Sequence, residues 1–235
     1  MSVSTIANRK PVRRISSSWL IYGIVGGIGL AASIGSYFLN RHLKQTFVMP
    51  PQPLPIYGKV EADFAAKDPE GKDVKFSAMK GKVIACSYLF TKCPMGCAEV
   101  FRVMKVLEEK YGSNPDFHLT SIAVVPDLDP PDFLKAFAQS QGVGAEDSWT
   151  FMSGHERADG WNFMHQQLKL EMTREIPEKD RLSACDICDH DLRIVLIDRS
   201  MQVRGYYQVM VPDKETRDFT QERLVTDVGR LLKGE

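Results

Sequence analysis

The sequence predicts a mixed α/β domain that follows a single membrane-spanning helix. An uncharged stretch of 21 residues, from Trp19 to Leu39, is typical of a membrane span, and apolar runs alternate with helical segments after residue 56. Of the 235 residues, 43% are hydrophobic and 26% are charged, which excludes a disordered or fibrous chain. This length suits one domain or two small ones.

Charge is distributed unevenly along the chain. The 30 Lys and Arg residues balance the 30 Asp and Glu residues, but residues 1–40 contain only basic charges. These are Arg9, Lys10, Arg13 and Arg14, so the remainder of the chain carries a charge of −4. A mildly acidic body argues against a general nucleic-acid binder, and we expect no nucleic-acid partner.

The uncharged stretch 19–39 is predicted to be an uncleaved membrane anchor. At a rise of 1.5 Å per residue, a helix of this length crosses a hydrocarbon core of roughly 30 Å. A signal peptide cleaved near Ala31 and a mitochondrial leader are the alternatives. The apolar region is, however, longer than the ~7–15 residues of a secretory signal.

Flanking charges predict the orientation of this anchor. Four basic residues precede it, whereas only Arg41 and Lys44 follow closely. The positive-inside rule then leaves the N-terminus in the cytoplasm or the mitochondrial matrix. We therefore expect a single-pass inner-membrane protein whose soluble domain lies in the periplasm or the intermembrane space.

A proline-rich segment separates the anchor from the body. Four of the six residues 50–55 are proline, which favours an extended, semi-rigid spacer. The predicted order is a basic segment at 1–18, the anchor at 19–39, the linker at 40–55 and the body at 56–235.

Apolar patterns predict the first elements of the body. Lys82–Phe90 is a nearly continuous apolar run, which fits a strand buried on both faces of a sheet. Cys97–Tyr111 carries apolar residues at helical spacing and is followed by glycine, which predicts a helix. His118–Val125 is the next predicted strand, and a pair of prolines opens a helix over Asp132–Gln141.

The remaining elements complete an alternating order. Trp149–Met152 is a short predicted strand, and Arg157–Leu170 has a helical pattern. Leu192–Asp198 and Gln202–Gln208 are predicted to pair as a hairpin, and Arg217–Lys233 as a closing amphipathic helix. Strand, helix, strand and helix, followed by a hairpin and a last helix, is the order of a thioredoxin-like α/β sandwich, which is the fold that we predict.

Four of the five cysteines fall in two close pairs. Cys93 and Cys97 form the first pair, Cys185 and Cys188 form the second, and His190 follows two residues later. Thiolates are the species that carry out thiol exchange and that bind soft metal ions. The clustering therefore indicates one of these two chemistries.

The first pair lies between a predicted strand and a predicted helix. This position puts Cys93 near the helix N-cap and Pro94 at the first helical position. The helix N-terminus and the charge of Lys92 would both stabilise a thiolate there. The fifth cysteine, Cys86, lies inside the apolar strand and is predicted to be a small core residue.

The spacing of the first pair bears on the choice between the two chemistries. On a helix, residues i and i+4 have Cβ atoms ~5–6 Å apart, whereas a disulfide needs ~3.5–4.5 Å. Two thiolates that converge on a soft ion tolerate the wider gap, although a disulfide stays open if the first turn is distorted. Two cysteines and one histidine suit a trigonal Cu(I) site, while Zn(II) needs a fourth ligand.

Four segments together resemble the Sco/SenC family: FTKCPMGC, AVVPDLDPPDFLKAFAQSQG, WTFMSG and DHDLRIVLIDRSMQVRGYY. The resemblance covers about residues 56–234 and identifies a divergent member. It implies a membrane-anchored, thioredoxin-like copper chaperone of cytochrome c oxidase assembly, with Cys93, Cys97 and His190 as the copper ligands. The chain departs from the family pattern at Ala98, where proline is frequent, and in its additional CxxC.

Two function hypotheses remain open. The first is a membrane-tethered assembly factor that delivers Cu(I) to a cytochrome c oxidase subunit, or to another copper or redox protein, or that reduces the recipient's cysteines. The second is a thiol–disulfide oxidoreductase or peroxidase-like enzyme that uses Cys93 as nucleophile and Cys97 or the second pair to resolve it. A structural zinc held by both pairs ranks last, because 87 residues separate Cys97 from Cys185, whereas zinc-binding pairs are usually ~12–20 residues apart.

Residues around the two pairs complete the predicted site. Cys185 and Cys188 are expected at its rim, as a redox gate or a second soft-metal position, with a structural disulfide as the alternative. Met95 is expected to cover the site. Asp127 and Asp129 follow a predicted strand and resemble a helix-capping loop.

Overall fold

A computed structural model describes residues 17–46, 52–94, 96–144 and 147–235. It divides the chain into two compact units, Met1–Gln52 and Pro53–Glu235. Most of the predicted basic segment, the linker residues 47–51 and Met95 lie outside the described residues.

The first unit contains one long helix, α1, at Ser17–Thr46. Within it, Ile21–Arg41 is long and apolar enough to cross a membrane, judged by length and composition. The helix continues past the predicted anchor because Arg41 ends the apolar stretch without breaking the helical backbone. The next proline along the chain, a residue that does break helices, comes only at Pro50.

The second unit is built on a six-stranded sheet with two small antiparallel pairs beside it. The strands are β1 Gly58–Lys59, β2 Ala65–Lys67, β3 Asp73–Lys75, β4 Val83–Leu89, β5 Phe117–Ala123, β6 Trp149–Met152, β7 Arg174–Glu175, β8 Cys188–Asp189, β9 Arg193–Ile197 and β10 Gln202–Gln208. The helices are α2 Cys97–Tyr111, α3 Pro131–Ser140, α4 Arg157–Gln166 and α5 Lys214–Lys233, with short 3-10 turns at Phe76–Met79 and Glu178–Asp180.

The order of the large sheet is β1-β10-β9-β4-β5-β6. Strands β4, β5 and β6 run parallel, whereas β9 is antiparallel to β4 and β10 is antiparallel to β9. The two small pairs are β2 with β3 and β7 with β8. This architecture confirms the thioredoxin-like α/β fold and the predicted hairpin.

Alternate residues of β4 fill apolar clusters on the two faces of the sheet. Ala85 packs in the cluster that α2, α3 and α5 cover, and Ile84 packs in the cluster that α4 covers. All seven residues of β4 are buried, as its continuous apolar run predicts. Cys86 belongs to the second cluster, and burial raises the pKa of its thiol far above the usual range. Its prediction as a core residue is confirmed.

Helix α4 ends earlier, and helix α5 begins earlier, than the sequence predicts. Helix α4 ends at Gln166 because Lys169 turns the backbone with a φ of 56°. Leu168 and Leu170 are nevertheless buried, and their apolar character extends the helical pattern past the true end. Helix α5 begins three residues earlier than predicted, because the Asp213 side chain caps it by accepting a hydrogen bond from the Thr216 N–H at 2.7 Å.

Candidate metal centre

The loop between β4 and α2 carries Cys93, and helix α2 begins at Cys97. The prediction that Cys93 lies near the helix N-cap with Pro94 at the first helical position is therefore wrong. Gly96 is the N-cap residue, and its carbonyl accepts hydrogen bonds from the N–H groups of the first helical turn. Proline fits the first turn of a helix, but here three residues separate Cys93 from the first helical residue, Cys97.

Strand pairing brings His190 to the same end of the sheet as this loop. The loop follows the end of β4, and His190 stands just before β9. Because β9 is antiparallel to β4, with Val195 opposite Cys86, the start of β9 lies beside the end of β4. Two segments far apart in sequence are thus held at one site.

Three donor atoms converge there. The Sγ atoms of Cys93 and Cys97 and a ring nitrogen of His190 all lie within 4.8 Å of one another. The Cys97 Sγ is 3.5 Å from the His190 Nε2. Cys97 is buried, while Cys93 and His190 are partly exposed, so a ligand could reach the group from the side of the latter two.

The imidazole of His190 has a defined orientation. Its Nδ1 lies 3.1 Å from the Asp191 carbonyl oxygen, and a carbonyl can only accept, so Nδ1 carries the proton. The other nitrogen, Nε2, then presents its lone pair to Cys97. The Tyr88 ring packs edge-on against the imidazole, with centroids 5.7 Å apart. The ring is therefore held in a tautomer that can ligate a metal.

The Asp191 side chain fixes the backbone beside His190. Its buried carboxylate accepts hydrogen bonds from the Glu171 N–H at 3.0 Å and from the N–H and side chain of Arg193. Burial alone would raise the pKa of Asp191, but these bonds, led by the Arg193 side chain, lower it. Asp191 therefore remains ionised and anchors the start of β9.

Cys97 holds its proton tightly. A hydrogen bond with Cys93, followed by burial, raises the pKa of the Cys97 thiol well above its usual range. A bound cation would have to displace this proton, because thiolates rather than thiols ligate metal ions. The Cys93 and Cys97 sulfurs share one proton through this hydrogen bond. A metal ion bound between them would take the place of that proton.

Asp129 and Thr91 support the loop, a role that no sequence pattern indicates. Asp129 is fully buried, and its carboxylate accepts hydrogen bonds from the Thr91 N–H at 3.0 Å and from the Thr91 hydroxyl. Burial raises the pKa of Asp129 despite these two bonds. No sequence signal pairs residues 38 positions apart; only the parallel packing of β4 and β5 brings them together.

Asp127 and Asp129 do not form the helix-capping loop that the sequence predicts. Pro130 is the N-cap residue of α3 and has no side-chain cap. Asp127 instead accepts two hydrogen bonds from Arg157, at 2.8 and 2.7 Å. Both carboxylates tie neighbouring segments together rather than capping a helix.

The second cysteine pair lies beside the first. Cys185 and Cys188 line a cavity of about 310 Å³ whose walls also include Cys93 and His190. Cys188 is buried, and burial raises the pKa of its thiol to about 12, whereas Cys185 is partly exposed. No disulfide joins either pair in the structure.

The arrangement suits a soft metal ion at the first pair. Among the described residues, Cys93, Cys97 and His190 are the one group of three or more Cys, His, Asp or Glu donors within 4.8 Å. Cys185 and Cys188 do not join that group, so the four-cysteine zinc cage is not assembled. Two sulfurs and one imidazole nitrogen are the donor set of a three-coordinate Cu(I) site.

Comparison with known proteins identifies relatives of this chain. The sequence model of the SCO1/SenC family matches residues 56–224. The SCO1 protein homolog of Bacillus subtilis (strain 168) is 29% identical over 107 residues, which is 45% of this chain and 55% of that protein. The chain thus spans about half the length of the curated relative that it matches.

Solved structures share the fold. BsSco, a member of the Sco family of cytochrome c oxidase assembly proteins with a disulfide switch, is 22% identical with a TM-score of 0.60, over 77% of this chain and 97% of that one. ScoI of Bradyrhizobium japonicum, solved with copper bound, is 21% identical with a TM-score of 0.51, over 73% of this chain and 99% of that one. At these identities the similarity shows the thioredoxin-like fold.

Proposed function

Because this chain belongs to the SCO1/SenC family, we propose that it is a membrane-tethered assembly factor that binds Cu(I) through Cys93, Cys97 and His190. The observation that carries the proposal is the convergence of two sulfurs and one imidazole nitrogen within 4.8 Å. These are soft or borderline ligands, and three of them complete a Cu(I) site but leave Zn(II) one ligand short. The copper bound to ScoI of Bradyrhizobium japonicum supports the same choice.

Copper is the cargo of this site, and the exposure of the ligands gives the transfer a direction. Cys97 is buried, whereas Cys93 and His190 are partly exposed. A recipient's thiols can approach Cys93 and His190 first, while Cys97 holds the ion until the new bonds form. The recipient is a cytochrome c oxidase subunit or another copper or redox protein, as the assembly role of BsSco suggests.

Helix α1 supports the proposed tethering. Apolar side chains such as Ile24, Val25 and Ile28 are more than half exposed along it, and a lipid bilayer is the environment that would bury them. With the N-terminus in the cytoplasm or the matrix, the copper site faces the periplasm or the intermembrane space.

Thiol–disulfide exchange is the second candidate function. The hydrogen bond between Cys93 and Cys97 brings the two sulfurs together, and oxidation would join them in a disulfide. The partly exposed Cys93 would then be the sulfur that a partner's thiolate attacks. In this form the protein would reduce the cysteines of a recipient rather than load them with copper.

Copper quantification tests the proposal. The full chain, purified anaerobically in detergent and loaded with Cu(I), should hold one equivalent of copper after gel filtration. Cys93→Ser should lose it, whereas Cys86→Ala, which alters the core cysteine, should retain it. A wild-type chain that holds no copper but turns over a disulfide substrate would support the second candidate instead.

A further inference from the structure

The second cysteine pair, Cys185 and Cys188, lies beside the proposed copper site but supplies none of its three ligands. Cys188 is 6% exposed in β8, and Cys185 lies partly exposed in the loop that precedes it. Both line the cavity of about 310 Å³ that Cys93 and His190 also line. The pair therefore connects the protein surface to the copper site through one cavity.

Cys93 is the sulfur of the first pair that faces this cavity. Cys97 is 4% exposed and is not part of the cavity wall. Cys93 packs against the apolar cluster that contains Cys188, and both residues line this cavity. A thiolate of the second pair would thus meet a Cys93–Cys97 disulfide at its Cys93 sulfur.

The loop of the second pair is already fastened without a sulfur–sulfur bond. The Leu182 N–H donates to the Asp186 carboxylate at 2.9 Å, and the Ile176 N–H donates to the Ile187 carbonyl at 2.9 Å. The Arg181 side chain donates to the Ile176 carbonyl at 3.0 Å. These bonds weaken the case for a disulfide whose task is to staple the loop.

A second metal position has less support than thiol exchange. Within the described part of the chain, no third Cys, His, Asp or Glu donor forms a group with Cys185 and Cys188. Two thiols separated by two residues in a local loop are, by contrast, a common arrangement for disulfide exchange.

We propose that Cys185 and Cys188 form a dithiol relay that reduces the Cys93–Cys97 disulfide and so restores the copper site. This inference rests on the proposed function of Cys93, Cys97 and His190. The relay accounts for the burial of Cys188 at the cavity and for the partial exposure of Cys185 at the surface.

The relay conserves atoms and electrons in two exchanges. The Cys188 thiol loses its proton as it attacks the Cys93 sulfur; the Cys93–Cys97 bond breaks, a Cys188–Cys93 bond forms, and Cys97 leaves and takes up that proton. The Cys185 thiol then loses its proton and attacks the Cys188 sulfur; the Cys188–Cys93 bond breaks, a Cys185–Cys188 bond forms, and Cys93 leaves and takes up the second proton. Two electrons and two protons have passed from the second pair to the first.

An external thiol completes the cycle at the surface. Two equivalents of a monothiol, or one dithiol, reduce the Cys185–Cys188 disulfide and become a disulfide themselves. The partly exposed Cys185 is the sulfur that such a reductant attacks.

A trapping experiment tests the first exchange. The full-length Cys97→Ser/Cys185→Ser chain retains Cys93 and Cys188 and should form a Cys93–Cys188 disulfide on mild oxidation with diamide, as peptide mass spectrometry would show. Cys86 is present in the same chain as an internal control and should stay unpaired. Oxidation that yields adducts of added glutathione on Cys93 but no Cys93–Cys188 bond overturns the relay.

A kinetic experiment tests the whole relay and separates it from the copper proposal. In the oxidised full chain, glutathione should regenerate the Cys93 and Cys97 thiols about tenfold faster than in Cys185→Ser/Cys188→Ser. Equal rates, a large loss of thermal stability, or a loss of bound Cu(I) in that variant would each overturn the relay. The last two results would indicate a structural disulfide and a metal ligand, respectively. A wild-type chain that relays electrons but binds no copper would refute the copper proposal alone.

Discussion

Two neighbouring residues, Asp191 and Tyr88, position the imidazole of His190. Its proton is held at Nδ1 by the Asp191 carbonyl, and the Tyr88 ring limits its rotation. The nitrogen that faces Cys97 is thereby ready to bind before any metal arrives. A ligand ordered in advance costs less conformational entropy when it binds.

We expect His190→Ala to weaken Cu(I) binding by at least about tenfold, because one of three ligands is lost. Competition with a colorimetric Cu(I) chelator measures the affinity. His155→Ala, which alters an exposed histidine ahead of α4, is the matched control and should bind as the wild type does. Unchanged affinity in His190→Ala would remove this residue from the site and make Cys185 or Cys188 the third ligand.

Asp129 acts on the site through Thr91, two residues before Cys93. Asp129→Asn keeps the shape of the side chain but replaces one of its two acceptor oxygens with an NH2 donor, so the side chain can no longer accept from both the Thr91 N–H and the Thr91 hydroxyl. We expect it to lower the free energy of unfolding by about 1–3 kcal/mol and to weaken Cu(I) binding as well. Denaturant unfolding and the chelator competition measure the two effects.

Two substitutions of Thr91 serve as matched controls for this prediction. Thr91→Ser keeps the hydroxyl bond to Asp129 and should preserve the copper affinity, whereas Thr91→Val removes that bond and should reproduce part of the Asp129→Asn effect. If Asp129→Asn lost stability but bound copper normally, the loop would not depend on this carboxylate.

At the scale of the elements, a partly buried titratable group lies between β5 and β6. His118 of β5 lies 2.9 Å from the Thr150 hydroxyl of β6, and its Nδ1 has no hydrogen-bond partner among the described residues. Burial, with a smaller effect from the charge of Lys82, lowers the pKa of His118 to about 4. The folded protein therefore holds this imidazole neutral at physiological pH.

This burial predicts acid sensitivity in a defined pH range. The unfolded chain takes up a proton on His118 near the ordinary pKa of 6.5, while the folded chain resists protonation until about pH 4. The stabilising contribution is thus complete above pH 6.5 and is lost as the pH falls to about 4, at most about 3 kcal/mol. Urea unfolding of wild type and His118→Gln at pH 7 and pH 4 isolates the difference. If wild type and His118→Gln lost the same free energy of unfolding between pH 7 and pH 4, His118 would not be the group responsible.

At the scale of the whole molecule, the body should fold without the first unit. Its apolar clusters consist of residues from Leu54 onward. Leu54 is 7% exposed, and its carbonyl accepts a hydrogen bond from Arg204 at 2.6 Å. The last residues of the predicted linker thus pack against the body.

We expect a chain of residues 53–235 to unfold in one cooperative transition and to bind Cu(I) as the full chain does. A chain of residues 56–235, which begins at the predicted boundary, should be less stable by about 1.5–3 kcal/mol because it lacks the buried Leu54 side chain. Chemical denaturation compares the two. Equal stability would mean that Leu54 contributes nothing to the core.

The anchor predicts which side of the membrane the cysteines face. In intact inner-membrane vesicles or mitoplasts, a membrane-impermeant maleimide should label Cys93 and Cys185 only from the periplasmic or intermembrane side. Protease added from that side should release the body. Labelling from the cytoplasmic or matrix side alone would refute the orientation that the flanking charges predict.

Local residue patterns are sufficient to predict the elements whose residues carry their own periodicity. The apolar run of β4, the helical spacing of α2 and the uncharged stretch within α1 each identify an element, because local burial patterns require those residue types. The two cysteine pairs also stand out without a structure. The family resemblance added His190, which spacing alone would not have selected.

The surroundings of these residues depend on contacts between strands that no local pattern predicts. The antiparallel pairing of β9 with β4 brings His190 to Cys97, and the parallel pairing of β5 with β4 brings Asp129 to Thr91. The start of α2 at Cys97 likewise depends on the path that the loop takes after β4. Contacts between residues far apart in sequence arise from strand order and packing, and no local pattern of residues records them.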